Sequence, residues 1–300
     1  MTMSLMDVKI FIRTFLMPKK WRARAMENAA RRAYNRHAGV LANVSELPVV
    51  KNDKEEKIFS IWLQGEDNAP PLVHACYDSI RRNCTQDLIV LDEKTLPNYI
   101  DLPGYVYDKY RAKKMRPAHF ADIARVELLH NHGGIWMDAT VLSTAPIPKD
   151  IIAQDFFVFL AGAKIYPHSF MQNCFIRARK NAYLLAAWRA LILDYWKTEP
   201  RYYEYFMHQT LFKNLVQNDP RAAAAFAKMP HITQEPIHSL WYGKHYGVSD
   251  FDINAPFNRA KFDAAIAETF IQKTSHKEQP ATNPIPGSTT DMMMKRKVFV

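Results

Sequence analysis

The chain has 300 residues, 48% of them hydrophobic and 23% charged, the balance of a folded globular protein and neither a disordered nor a fibrous one. Its formal charge of +10 sits at the ends: residues 1–40 carry nine Lys/Arg against Asp7 and Glu27, and Lys295, Arg296 and Lys297 face Asp291 at the far end. Residues 41–280 are left within one charge of neutrality, which argues against a nucleic-acid groove across the body.

Between residues 3 and 17, Leu5, Val8, Ile12, Phe15 and Leu16 recur at helical spacing beside a basic stripe of Lys9, Arg13, Lys20, Arg24 and Arg31. Pro18 suits a first helical turn, so two helices are expected, over 3–17 and 18–37, within a basic amphipathic arm spanning 1–50. Two readings of residues 1–40 stay open: a helix packed on the body with solvated charges, or a surface for anionic lipid headgroups. No stretch reaches the ~18–20 apolar residues of a spanning helix. A charged linker, Lys51 to Lys57, leads into a buried strand from Ile58 to Leu63. Pro70 and Pro71 open a helix to Asn83, Asp87 to Asp92 reads as a second strand, and Pro117 opens a helix closed by Gly133. A short strand then ends at Asp138, Asp155 to Leu160 is another, and the chain turns helical from Asn181 to Ala227. Alternation of strand and helix predicts an α/β fold with a mostly parallel sheet. Residues 280–300, with Pro280, Pro284 and Pro286 among Ser, Thr and Asn, have the composition of a flexible tail.

Nine glycines fall in neither G-x-G-x-x-G nor G-x-x-x-x-G-K spacing, so Rossmann and P-loop readings lose their support. Three cysteines, Cys76, Cys84 and Cys174, form no C-x-x-C pair and fit reduced thiols in the cytoplasm. His231, His238 and His245 are seven apart, yet Pro236 breaks any common helix, and they are read as no zinc site.

Chemistry concentrates in Pro117 to Leu142, where a helix, the tandem Gly133-Gly134 and an apolar strand end on an acid. Asp122 and Arg125, three apart, share a helix face and would otherwise form an ordinary surface ion pair. Asp138 falls at the carboxyl end of a buried strand, the edge where open α/β sheets bind ligands. A carboxylate there can hold a ribose hydroxyl or a divalent cation beside a diphosphate.

The segments Ile61-Trp62-Leu63-Gln64-Gly65, Val73 to Arg81, Ile89 to Asp92 and His119 to Val141, with weaker stretches near Asn173, Glu204 to His208 and Ser275 to Lys277, resemble the capsular polysaccharide synthesis proteins. These are relatives of glycosyltransferase family 32 and, more remotely, of the clostridial glucosylating toxins. The resemblance covers about residues 57–278 and implies a GT-A domain there. It further implies a bacterial hexosyltransferase of retaining type, and the basic residues 1–40 suggest a membrane-peripheral place at the cytoplasmic face of the inner membrane. Such an enzyme moves a sugar from a nucleoside diphosphate, a UDP-sugar by preference, to a polysaccharide or lipid-linked acceptor. Carried over by position, Trp62 stacks on the base and Gln64 and Gly65 line its pocket. Asp122 and Arg125 hold the donor sugar, Asn173 points toward it, and Glu204 faces the acceptor. His276 and Lys277 attend the diphosphate. Asp138 matches the first acid of a D-x-D signature, with Asp138 and His276 as candidate ligands of Mn or Mg. Thr140 replaces the second acid, which weakens the cation and leaves a second reading, an inactive member that binds glycan or lipid.

Overall fold

The computed structural model describes residues 19–50, 56–166 and 168–299; the helix expected over 3–17 and most of the charged linker lie outside the described residues. In chain order the principal elements are α1 (Lys19–His37), β1 (Ile58–Ile61), α2 (Pro71–Asn83), β2 (Leu88–Leu91), α3 (Gly104–Arg111), α4 (Pro117–His132), β3 (Gly134–Met137) and β4 (Val141–Ser143). After them come β5 (Phe156–Leu160), β6 (Met171–Ala178), α5 (Tyr183–Thr198), α6 (Met207–Asn218), α7 (Pro220–Ala227), α8 (Arg259–Ile266), β7 (Ile271–Lys273) and α9 (Thr289–Met294).

The central sheet has the order β2-β1-β3-β6-β5. Strand β1 runs parallel to β2 and β3, while β6 is antiparallel to both β3 and β5. Four strands therefore point one way and β6 alone returns. Every residue of β1 and β3 is buried, so both faces of the sheet are covered, as a parallel arrangement requires. A separate ribbon pairs β4 antiparallel with β7, Val141 opposite Lys273. That pairing joins residues about 130 apart in sequence and brings the late chain back to the end of β3.

Helix α4 packs against β1, β3 and α5 and is buried almost all round, polar residues included: His119, Asp122, Arg125 and Glu127 lie among its apolar side chains. Buried charges must find partners, and Glu127 takes the fork of Arg189 on α5 through bonds of 2.6 and 2.8 Å. At its end Gly133 has φ 69° and ψ −169°, a region essentially confined to glycine and not the left-handed helix cap. A Cβ on Gly134 (φ 102°) would lie 2.6 Å from the Lys57 carbonyl oxygen. The tandem pair lets the chain leave α4 and enter β3 tightly against its neighbours.

The arm forms a helix where expected, but α1 packs on α5 and α6. Ala29, Ala30, Ala33, Tyr34 and His37 are buried, and His37 meets Asp194 at 2.7 Å. Its basic side chains Arg24, Arg31, Arg32 and Arg36 stay exposed, and Trp21 is 67% exposed. The end of the chain differs from a flexible tail. Met293 and Val298 join Leu72, Cys76, Leu142 and Trp241 in a second core cluster, and Arg296 meets Asp78 of α2 at 2.7 Å. Ser288 accepts the Asp291 amide N–H while Asp291 accepts that of Gly287, so local capping outweighs a composition rich in Pro, Ser and Thr. Among the described residues no helix is long and apolar enough to cross a membrane.

Candidate functional site

Because β1, β2 and β3 are parallel, their carboxyl ends open on one edge. Trp62, Gln64 and Gly65 follow β1, Asp92 follows β2 and Asp138 follows β3. Gly65 donates its N–H to the Trp62 carbonyl at 2.9 Å and has φ 87°, so a tight turn places the half-buried indole at the rim. The ring of His276 meets that indole edge-on, centroids 5.1 Å apart. Burial and the neighbouring Lys277 and Lys273 push the His276 imidazole below its ordinary pKa. Lys277 is exposed beside it.

Since β6 runs backwards, its first residues lie beside the end of β3. Asp138 donates its backbone N–H to the Cys174 carbonyl, and Asn173 reaches α4. There Asp122 Oδ1 accepts from Asn173 Nδ2 (2.8 Å) and pairs with Arg125 Nη2 (3.0 Å), while Oδ2 meets His208 Nδ1 (3.0 Å). The indole N–H of Trp196 donates to His208 Nε2 at 2.8 Å, which leaves the imidazole proton on Nδ1, facing Asp122. Burial drives the Asp122 carboxyl upward, yet Arg125 and His208 outweigh it and hold the pKa at about 2. Burial and His208 lower His119 to about 4, and its Nε2 lies 3.0 Å from the Tyr205 carbonyl.

Arg125 is the hub of this network. It pairs with Asp122, donates to the Asn173 carbonyl at 2.5 Å, and lies 3.3 Å from Asp138 Oδ1 with its guanidinium 4.9 Å from the centre of the Trp136 ring. Asp138 also accepts the Trp136 indole N–H at 2.8 Å and has Lys273 Nζ 3.7 Å from Oδ2. Lys273 in turn donates to Thr140 Oγ1. Asp138 thus stands between two cations, and the Thr140 hydroxyl serves one of them.

A divalent cation fits this donor set poorly. Mg and Mn want several oxygen ligands, and here one carboxylate and one hydroxyl are both already engaged by an ammonium. Charges of +2 and +1 about 4 Å apart repel by roughly 8 kcal/mol at an effective dielectric near 20. His276 is turned to Trp62.

The structure brings together Asp122, Arg125, Asn173 and Asp138 in one network, and Trp62 with His276 along the same edge. Glu204 turns elsewhere. It lies in the turn before α6, so it and His208 share no helix face, and its carboxylate accepts from Phe206 N–H (2.9 Å) and Thr210 Oγ1 (3.2 Å). Burial lifts its pKa to about 7. Sequence reasoning missed Lys273 and Trp136. For Trp136 the alternation Trp136-Met137-Asp138 was a usable signal, since residues two apart share a strand face; Lys273 had none without the β4–β7 pairing.

Residues 16–289 match the capsular polysaccharide synthesis proteins, and the chain belongs to that family. The match takes in α1 and the body and stops at the start of α9. Among solved structures the chain is similar to one described as PaToxG glycosyltransferase, with a TM-score of 0.40 and 12% identity over 93% of this chain and 96% of that one. No curated protein matches.

Proposed function

We propose that this chain is a glycosyltransferase of surface polysaccharide assembly, taking a sugar from a nucleoside diphosphate donor. The observation that carries this reading is the Asp138–Arg125–Lys273 group at the carboxyl edge of three parallel strands, the place where an α/β sheet presents ligand-binding loops. Family membership supplies the polysaccharide context. Trp62 offers an indole face to the base, with Gln64 and Gly65 shaping the turn beneath it. Asp138 accepts hydroxyl protons of the ribose or the sugar. Arg125, fixed by Asp122 and Asn173, gives Asp138 a set orientation; Asp122 itself has three of its about four acceptor positions filled and orients more than it binds. A hexosyl group, a uridine carrier and retention of anomeric configuration rest on the resemblance to family 32.

The acceptor, a polysaccharide or lipid-linked glycan, is assigned to the groove of about 480 Å³ lined by Tyr166, Trp241, Tyr242, Tyr246 and Phe251. Aromatic faces suit sugar rings, and Glu278 of this groove lies two residues beyond His276. The exposed basic side chains of α1 would hold the chain at the cytoplasmic leaflet. Thr140 in place of a second acid is the one feature favouring an inactive binding protein. Incubating the full chain with a panel of UDP-, GDP-, ADP-, CDP- and dTDP-sugars and following nucleotide release tests the proposal. Slow hydrolysis of one donor is expected; release from none, with no nucleotide bound, favours the inactive reading.

A further inference from the structure

We propose that the ammonium of Lys273 serves as the cation of the leaving diphosphate, in the place a divalent metal would take at Asp138-Ala139-Thr140. This inference rests on the glycosyltransferase reading. In sugar transfer an acceptor hydroxyl oxygen, or water in hydrolysis, forms the new bond to the anomeric carbon and gives up its proton to the diphosphate or to solvent. The bond from that carbon to the diphosphate oxygen breaks, and its electron pair leaves with the diphosphate. A fixed positive charge at that oxygen favours the departure, and here it comes from a residue that the fold has positioned by register.

Three observations converge on Lys273. Opposite Val141 in the β4–β7 ribbon, its backbone is held beside the motif by register. Its Nζ bonds Thr140 Oγ1, lies 3.7 Å from Asp138 Oδ2 and 3.3 Å from the Thr274 carbonyl, so oxygen atoms gather around the ammonium as they would around a metal ion. The side chain keeps 19% exposure, which leaves a face for a phosphate oxygen. His276, three residues on, is at Trp62. Base, diphosphate and sugar positions thus follow one strip from Trp62 past Lys273 to Asp138 and Arg125. Thr140 suits a hydrogen bond to an ammonium where a second carboxylate would hold it in a salt bridge and cancel its charge.

The test uses the full chain and binding as well as turnover. Calorimetric titration of the nucleoside diphosphate that binds best of UDP, GDP, ADP, CDP and dTDP is run in EDTA and in Mn, beside hydrolysis of the matching sugar donor. Expected for the parent is the same affinity and rate within about 3-fold in both buffers. Lys273→Met should lose at least 100-fold in EDTA, whereas Lys273→Arg retains most of it. Thr140→Asp, which keeps Lys273 but pairs it, should lower affinity in EDTA at least 10-fold, and parental affinity in the folded variant would overturn the role of Lys273. Thermal melting of each variant separates site loss from unfolding, and the Thr140→Asp result decides if Lys273→Met does not fold. Parent binding that falls more than 10-fold in EDTA, or a folded Lys273→Met with parental affinity there, overturns the role of Lys273 and leaves the glycosyltransferase reading standing. A parent that neither binds nor hydrolyses any donor in either buffer overturns that reading instead.

Discussion

Glu204 offers a sharp distinction between an acid that meets the acceptor and one that serves the fold. Its carboxylate is buried in the turn before α6, accepting from Phe206 N–H and Thr210, and burial lifts its pKa from 4.5 to about 7. A carboxyl raised in the folded state contributes stability that is fully present below the unfolded value and is lost as pH climbs through the folded one. The wild-type chain should therefore lose, between pH 4.5 and 8, on the order of 3 kcal/mol that Glu204→Gln does not lose, at about 1.4 kcal/mol for each pH unit between the unfolded and folded values. The amide keeps an acceptor for Phe206 N–H and never ionises. At about 2 °C per kcal/mol for a chain of this size, the variant should melt close to wild type at pH 4.5 and about 6 °C higher at pH 8. Differential scanning calorimetry across that range reads the difference directly. Parallel melting curves at every pH would mean that Glu204 is ionised in the fold, and the burial argument would fail.

Other perturbations follow from the same geometry. Asp138→Asn should lower donor hydrolysis at least 100-fold while melting within about 3 °C of the parent, because the half-open carboxylate serves the site more than the core. Arg125→Lys removes a fork shared by Asp122, Asp138 and the Asn173 carbonyl; a loss of about 2–4 kcal/mol in denaturant unfolding is expected along with lost activity, and unchanged stability would contradict the hub assignment. Reversing Arg24, Arg31 and Arg32 to Glu, all exposed on α1, should weaken sedimentation with anionic vesicles by on the order of 100-fold at about 1 kcal/mol per residue without lowering the melting temperature. Equal sedimentation of parent and variant would refute a membrane role for this face.

Much of the body could be read directly from the sequence. Pro117 at the first turn and Gly133 at the end bound α4 at the expected residues, and runs such as Ile58–Ile61 and Phe156–Leu160 are strands because β-branched and aromatic residues bury well on both faces of a sheet. What stayed hidden was non-local. The reversed direction of β6, which carries Asn173 to Asp122, depends on pairing across the sheet. Lys273 reaches Asp138 through a ribbon closed by a distant segment. Composition misled at the C-terminus, where Met293 and Val298 find an apolar cluster that only the fold assembles. The helical stretch expected from Asn181 to Ala227 is broken ahead of Met207, where α6 begins, and Glu204 falls in that break.

The central claim is that the donor lies along the edge from Trp62 to Asp138, and photoaffinity labelling with an azido-uridine diphosphate sugar tests it most directly. After tryptic digestion the label should be found on peptide 58–81, which carries Trp62, or on peptide 274–277, which carries His276, and excess UDP should compete it away. Competed labelling that falls instead on Leu47, Asn181 or Arg221, which line a separate cleft, would contradict the account.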